Sequence, residues 1–202
     1  MARLSISLVL LVVVSILSLC FPAESAAAPA SKTTSTTNFI KASCKVTRYP
    51  AVCVQSLAVY ATTIQQSRKE LAHTALAVSL ARAQSMKQFV TKLTKFRGLK
   101  HREYEAIKDC AEEISDTIDR ISNSVQELKS MGTGSGQDFS WHMSNVETWV
   151  SAALTDENTC FDGFAGQAMD GRIKNSVRAR VINVAQVTSN ALALVNQFAG
   201  RH

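Results

Sequence analysis

One stretch of this 202-residue chain restricts its fold more than any other. Tyr104, Ile107, Ala111, Ile114, Ile118, Ile121, Val125 and Leu128 follow one another at steps of 3, 4, 3, 4, 3, 4 and 3. Apolar residues at that spacing share one face only on an α-helix, and such a seam needs other helices to cover it. Three more helical segments supply that cover. The first runs over about 68–96, carries Leu76, Leu80, Ala83, Met86, Val90 and Leu93, and meets a stop at Gly98. Another starts near Asp138 with Val146, Trp149, Val150, Ala153 and Leu154. The last carries Ile173, Val177, Val181, Val184, Ala191, Val195 and Phe198. Gly132-Thr133-Gly134-Ser135-Gly136 breaks the second segment from the third and reads as a flexible connection. Gly163, Gly166 and Gly171 punctuate the approach to the fourth.

Only eight Gly and three Pro occur, too few for the frequent turns of an all-β sandwich. No internal repeat suggests a solenoid. The expected fold is therefore all-α, an up-down-up-down four-helix bundle over about 68–199. Short helical pieces around Tyr49-Pro50 form a helical hairpin over about 38–60 ahead of it.

The first residues read differently. Arg3 precedes an apolar run over 4–19, and Pro22 with the small residues 25–28 then offers cleavage sites. Residues 1–27 are expected to be a signal peptide with its cleavage region, and the rival is an uncleaved membrane anchor. Residues 28–37, rich in Ser, Thr and Ala, read as a disordered lead-in to a domain over 38–202. There is no Asn-x-Ser/Thr site and no Lys-Asp-Glu-Leu-type tail, so the expected destination is extracellular, with no membrane contact after cleavage.

Cleavage leaves Cys44, Cys53, Cys110 and Cys160, an even set that in an exported chain means two disulfides. Four cysteines allow three pairings. Local closure favours Cys44–Cys53 across Tyr49-Pro50, and a Cys110–Cys160 link would staple two bundle helices. A zinc site is the competing reading, but no Cys-x-x-Cys occurs and His73, His101, His142 and His202 are scattered. No nucleophile, zincin or phosphate-loop motif is present, so no catalytic residues, no cofactor and no enzyme activity are expected. The net charge of +6 comes without a Lys/Arg run, which argues against nucleic acid.

One polar pattern remains. Glu105, Asp109, Glu112, Asp116 and Asp119 also step by 4, 3, 4 and 3, an acidic stripe on a positively charged protein. Such repulsion costs about 0.2–0.5 kcal/mol per pair, relieved if Lys108 pairs with Glu112 and Arg120 with Asp116. The stripe is either a solvated face or a surface for a partner with basic groups.

These residues resemble the plant invertase/pectin methylesterase inhibitor family. The likeness lies in Ile40-Lys41-Ala42-Ser43-Cys44, Thr47-Arg48-Tyr49-Pro50 with Cys53, and Asp109-Cys110-Ala111-Glu112-Glu113. It continues in Thr148-Trp149-Val150-Ser151-Ala152-Ala153-Leu154-Thr155, in Thr159-Cys160-Phe161-Asp162-Gly163-Phe164 and in Ser189-Asn190-Ala191-Leu192-Ala193-Leu194. Each motif alone is weak; their order and spacing across the chain are specific. The resemblance implies a four-helix bundle with an N-terminal helical hairpin and the pairs Cys44–Cys53 and Cys110–Cys160. It also implies no catalysis, and a reversible one-to-one complex that covers the target enzyme's substrate cleft.

Invertase inhibitors of the family share a Pro-Lys-Phe stretch just after the second helix. Here the sequence reads Ser130-Met131-Gly132-Thr133-Gly134-Ser135-Gly136-Gln137-Asp138, so the expected target is pectin methylesterase in the plant cell wall (apoplast). The same module precedes the catalytic domain in some pectin methylesterases, whereas this chain reads as a free-standing inhibitor. By position, Glu112, Asp116, Asp119 and Thr159 match family contacts with the esterase. An inhibitor of acid invertase is the alternative. More distant readings are a carrier of a small apolar ligand in the bundle core, and a wall protein in weak electrostatic contact with pectin.

Overall fold

The computed structural model describes residues 28–131, 136–166, 169 and 171–200. From Thr33 onward the chain is one compact unit. Its helices are α1 (Ala28–Cys44), α2 (Pro50–Leu57), a 3-10 turn (Ala58–Tyr60), α3 (Ala61–Ile64), α4 (Arg68–Leu93), α5 (His101–Ser130), α6 (Gln137–Asp162) and α7 (Arg172–Ala199). There is no strand among the described residues. The four long helices pack as a ring in which α4 neighbours α5, α5 neighbours α6, α6 neighbours α7 and α7 neighbours α4. This is the all-α bundle with a helical hairpin that the sequence leads one to expect.

Residues 28–37 depart from that expectation. They lie in α1 and are no irregular lead-in. Thr36, Ile40 and Cys44 are buried at a spacing of four, so one face of α1 is anchored, and Pro29 stands in the first turn, where a missing N–H is tolerated. The signal-peptide reading of 1–27 falls outside the described residues, as does most of the Gly-rich connection at 132–135. No described helix is long and apolar enough to cross a membrane.

The hairpin is fixed at both ends. Cys44 and Cys53 are joined, and Pro50 stands in the first turn of α2, where its missing N–H costs nothing. Between them the Tyr49 backbone N–H donates to Asn190 Oδ1 at 3.0 Å, and Asn190 Nδ2 donates to the Tyr49 carbonyl at 2.9 Å. Asn190 is buried on α7, so its amide closes both hydrogen bonds away from water, where an unmet backbone group would cost about 1–3 kcal/mol. Gln197 Nε2 adds a bond to the Ser43 carbonyl at 3.0 Å. Gln65 and Gln66, before α4, both adopt positive φ (44° and 65°), a strained way to turn the chain without glycine. Ser67 then caps α4 by accepting from the Glu70 N–H.

Two apolar clusters fill the bundle. One, at the hairpin end, joins Ile40, Leu57, Ile64, Leu71 and Leu76 to Leu128, Val146, Val150, Leu194 and Phe198. The other joins Met86, Val90, Ile107, Ile114, Phe164, Val177, Val181 and Val184 around Cys110 and Cys160. The expected α5 seam is only half right. Ile107, Ile114, Ile121 and Leu128 are fully buried, but Tyr104 is 41% exposed and Ala111, Ile118 and Val125 lie at the flank. Cys110, Thr117 and Ser124 take the inner places, because α5 sits between α4 and α6 and its buried arc rotates toward the disulfide.

Candidate recognition surface

Cys110 of α5 and Cys160 of α6 are joined, with their Cα atoms 4.2 Å apart, which brings the Asp109–Glu113 turn beside the Asp156–Cys160 turn. Side-chain contacts stitch the two helices further, Thr117 Oγ1 donating to the Ala153 carbonyl at 3.5 Å. Arg120 Nε meets Asp156 Oδ2 at 2.7 Å, and Glu127 Oε1 accepts from Asn145 Nδ2 at 3.1 Å and lies 2.8 Å from His142 Nδ1. Arg120 thus reaches across to α6 and is not the partner that sequence spacing suggested for Asp116. The His142 bond holds the Glu127 carboxyl below the usual range, the Asn145 bond adding to it against desolvation.

Glu112, Asp116 and Asp119 are all exposed on α5, and Thr159 is exposed on α6, where its hydroxyl donates to the Thr155 carbonyl at 3.0 Å. Glu105 and Asp109 are exposed on the same helix. The stripe extends across the seam. Asp156 is pushed up by burial, against the pull of Arg120, and the charge of Asp116 pushes it further. Glu113 is likewise raised, first by burial and then by Asp156 and Asp116. Asp116 therefore sits at the point where the carboxylates of the two helices repel one another. Thr148, Ser151 and Thr155 continue an exposed hydroxyl row on α6.

Charge is divided between the helix pairs more sharply than the net value reveals. α5 carries eight acids and four Lys/Arg, and α6 carries five acids and no Lys/Arg. α4 carries one acid and five Lys/Arg, and α7 carries no acid and four Lys/Arg. The bundle has an acidic wall and a basic wall. The sequence reading saw the stripe but not this division, since it depends on which helices are neighbours.

Sequence reasoning also missed Glu157. It is 0% exposed, at the position of α6 that completes the series Val146, Val150, Ala153, Glu157, Cys160 at steps of 4, 3, 4 and 3. That spacing was the available signal. Its Oε1 accepts from Thr188 Oγ1 at 2.7 Å, Thr188 Oγ1 lies 2.6 Å from Ser79 Oγ, and among the described residues its Oε2 has no hydrogen-bond partner. Desolvation pushes the Glu157 carboxyl up to about 8, against the Thr188 hydrogen bond and with some help from Asp156. Each long helix carries buried polar residues between the two apolar clusters, among them Ser79, Thr117, Glu157 and Thr188. Among the described residues, no group of three His, Cys, Asp or Glu could hold a metal ion.

Residues 38–194 match the family model described as plant invertase/pectin methylesterase inhibitor. A 21 kDa protein of Daucus carota is 59% identical over 180 residues, covering 89% of this chain and 90% of that protein. Pectinesterase inhibitor 11 of Arabidopsis thaliana is 58% identical over 166 residues, 82% of each chain. Among solved structures, a crystal structure of a mutant form of a pectin methylesterase inhibitor from Arabidopsis superposes with a TM-score of 0.61. It is 22% identical, and the match covers 76% of this chain and 92% of that one, a likeness of fold.

Proposed function

The chain belongs to the plant invertase/pectin methylesterase inhibitor family, and we propose that it is a secreted inhibitor that lays its α5/α6 wall over the pectin-binding cleft of a pectin methylesterase. It is an inhibitor and not an enzyme, in line with the names of pectinesterase inhibitors 11 and 9 of Arabidopsis thaliana. The complex is one-to-one and reversible, and it forms in the cell wall, where it limits de-esterification of pectin. The observation that carries this reading is the acidic wall. Glu112, Asp116 and Asp119 stand in solvent on a helix whose position relative to α6 is fixed by a disulfide and an ion pair. A surface fixed before binding loses little entropy on association, and unpaired carboxylates on it favour a partner with basic or donor groups. Thr159, beside Cys160, extends the contact onto α6.

The basic wall faces away from that contact and attracts pectin carboxylates electrostatically. The test adds purified mature protein at equimolar concentration to a pectin methylesterase and, in parallel, to an acid invertase. De-esterification should slow and sucrose hydrolysis should continue unchanged. Inhibition of the invertase alone would overturn the assignment of target.

A further inference from the structure

The basic wall contains a groove. Two adjoining hollows, of about 340 Å³ and 530 Å³, share Arg82, Ser85 and Asn183 and so form one channel between α4 and α7 that reaches the hairpin. At one end the Arg180 guanidinium stacks 4.1 Å from the Phe89 ring centroid. At the other end stand Tyr60, Gln55 and Ser56. Among the described residues, none that lines the channel is a carboxylate. The only acid on either long helix is Glu70, near the start of α4.

We propose that this channel binds a uronate oligosaccharide, a chain of sugar rings bearing free carboxylates; that such chains come from pectin de-esterification rests on the inhibitor reading above. The lining matches each part of such a chain. Arg82 and Arg180 present planar donor forks to carboxylates, and Arg180 is held for that task by its stacking on Phe89. The Ser85 hydroxyl and the Asn183 amide suit sugar hydroxyls, the Ser56 oxygen, whose proton goes to the Val52 carbonyl, can accept from them, and the exposed Tyr60 ring offers a flat apolar face with a polar tip. The channel is open and long, which fits a polymer better than a small enclosed ligand. Nine Lys/Arg against one acid on α4 and α7 gather polyanions from solution in a salt-dependent way.

The experiment titrates the mature protein by calorimetry with de-esterified oligogalacturonate and with the same oligomer fully methyl-esterified. The acid form should bind at least tenfold more tightly, and its binding should weaken with added salt. Arg82→Ala with Arg180→Ala should weaken it at least tenfold. Both residues are exposed, so the fold should survive, as a melting curve on the same sample checks. Lys92→Ala, exposed on α4 but outside the channel, should bind like the unaltered protein. Equal binding of both oligomers, or equal binding by the double variant and Lys92→Ala, would overturn the proposal. So would sedimentation showing that the double variant abolishes self-association while no sugar binds, which would assign the channel to a second copy's acidic wall. Inhibition of the esterase is read on the same variants. If the double variant inhibits normally but no longer binds uronate, the two sites are separate. If the protein binds uronate but inhibits no esterase, only the inhibitor reading fails.

Discussion

The two walls of the bundle are both antiparallel helix pairs, yet they are held together by different means. α5 and α6 are joined by a disulfide, by Arg120–Asp156 and by Glu127 with His142 and Asn145. α4 and α7 meet through apolar side chains, one hydroxyl pair and Arg180 over Phe89. Across the acidic wall the disulfide and the Arg120–Asp156 pair act against the mutual repulsion of its carboxylates. On the basic wall Arg82 and Arg180 line the open channel, whereas Lys69 and Lys87 reach the backbone carbonyls of Met131 and Ala111. A rigid wall suits docking on a folded protein. An open cationic one suits a flexible polyanion.

The largest effect is expected where the walls touch internally, at Glu157 of α6 and Thr188 of α7. The folded carboxyl titrates near 8 and an unfolded one near 4.5. Because the folded value is raised, the contribution to stability is complete below about 4.5 and declines as pH rises through 8. The slope is about 1.4 kcal/mol per pH unit at most, since solvent penetration reduces it. Denaturation midpoints between pH 5 and 8.5 should fall accordingly, and Glu157→Gln should flatten the profile. A flat profile in the unaltered protein would mean that the acid is solvated.

Next in size is the staple of the acidic wall. Cys110→Ser with Cys160→Ser should lower stability by about 2–5 kcal/mol. It should also weaken esterase inhibition more than it weakens uronate binding, because it loosens one wall and leaves the other. A variant with unchanged denaturation midpoint would show that the ionic contacts alone hold α5 to α6.

The smallest effect separates the walls most cleanly. Asp116→Ala should weaken inhibition by about 1–3 kcal/mol and leave the melting temperature alone, since the side chain is exposed. Removing its charge should also lower the titration of Glu113 and Asp156, which it now raises. Glu105→Ala, exposed on the same helix but outside the proposed contact, is the control. Glu127 is unsuitable for that purpose because it holds two α6 side chains. An inhibition constant shared by Asp116→Ala and Glu105→Ala would return the stripe to a solvated surface.

Periodicity made the four long helices legible, because a 3.5-residue apolar repeat has one structural solution. The acidic stripe was legible for the same reason. Periodicity misplaced the centre of the α5 seam, since an apolar-only search passes over Cys110, Thr117 and Ser124, which their neighbours bury. It misread 28–37 because composition describes what a segment prefers in isolation, and α1 is held by distant burial of Ile40 and Cys44.

The sequence by itself determined that this chain is helical and that α5 presents carboxylates at regular spacing. Those properties depend on neighbours within a few residues. Tertiary structure alone decided that Arg120 serves Asp156 and not Asp116, that Asn190 holds Tyr49 across 141 residues, and that Glu157 is stripped of water. It also decided that acids and bases collect on opposite helix pairs. Such features arise from which faces meet in the bundle, and desolvation and charge–charge energies depend on distances in space that spacing along the chain does not encode.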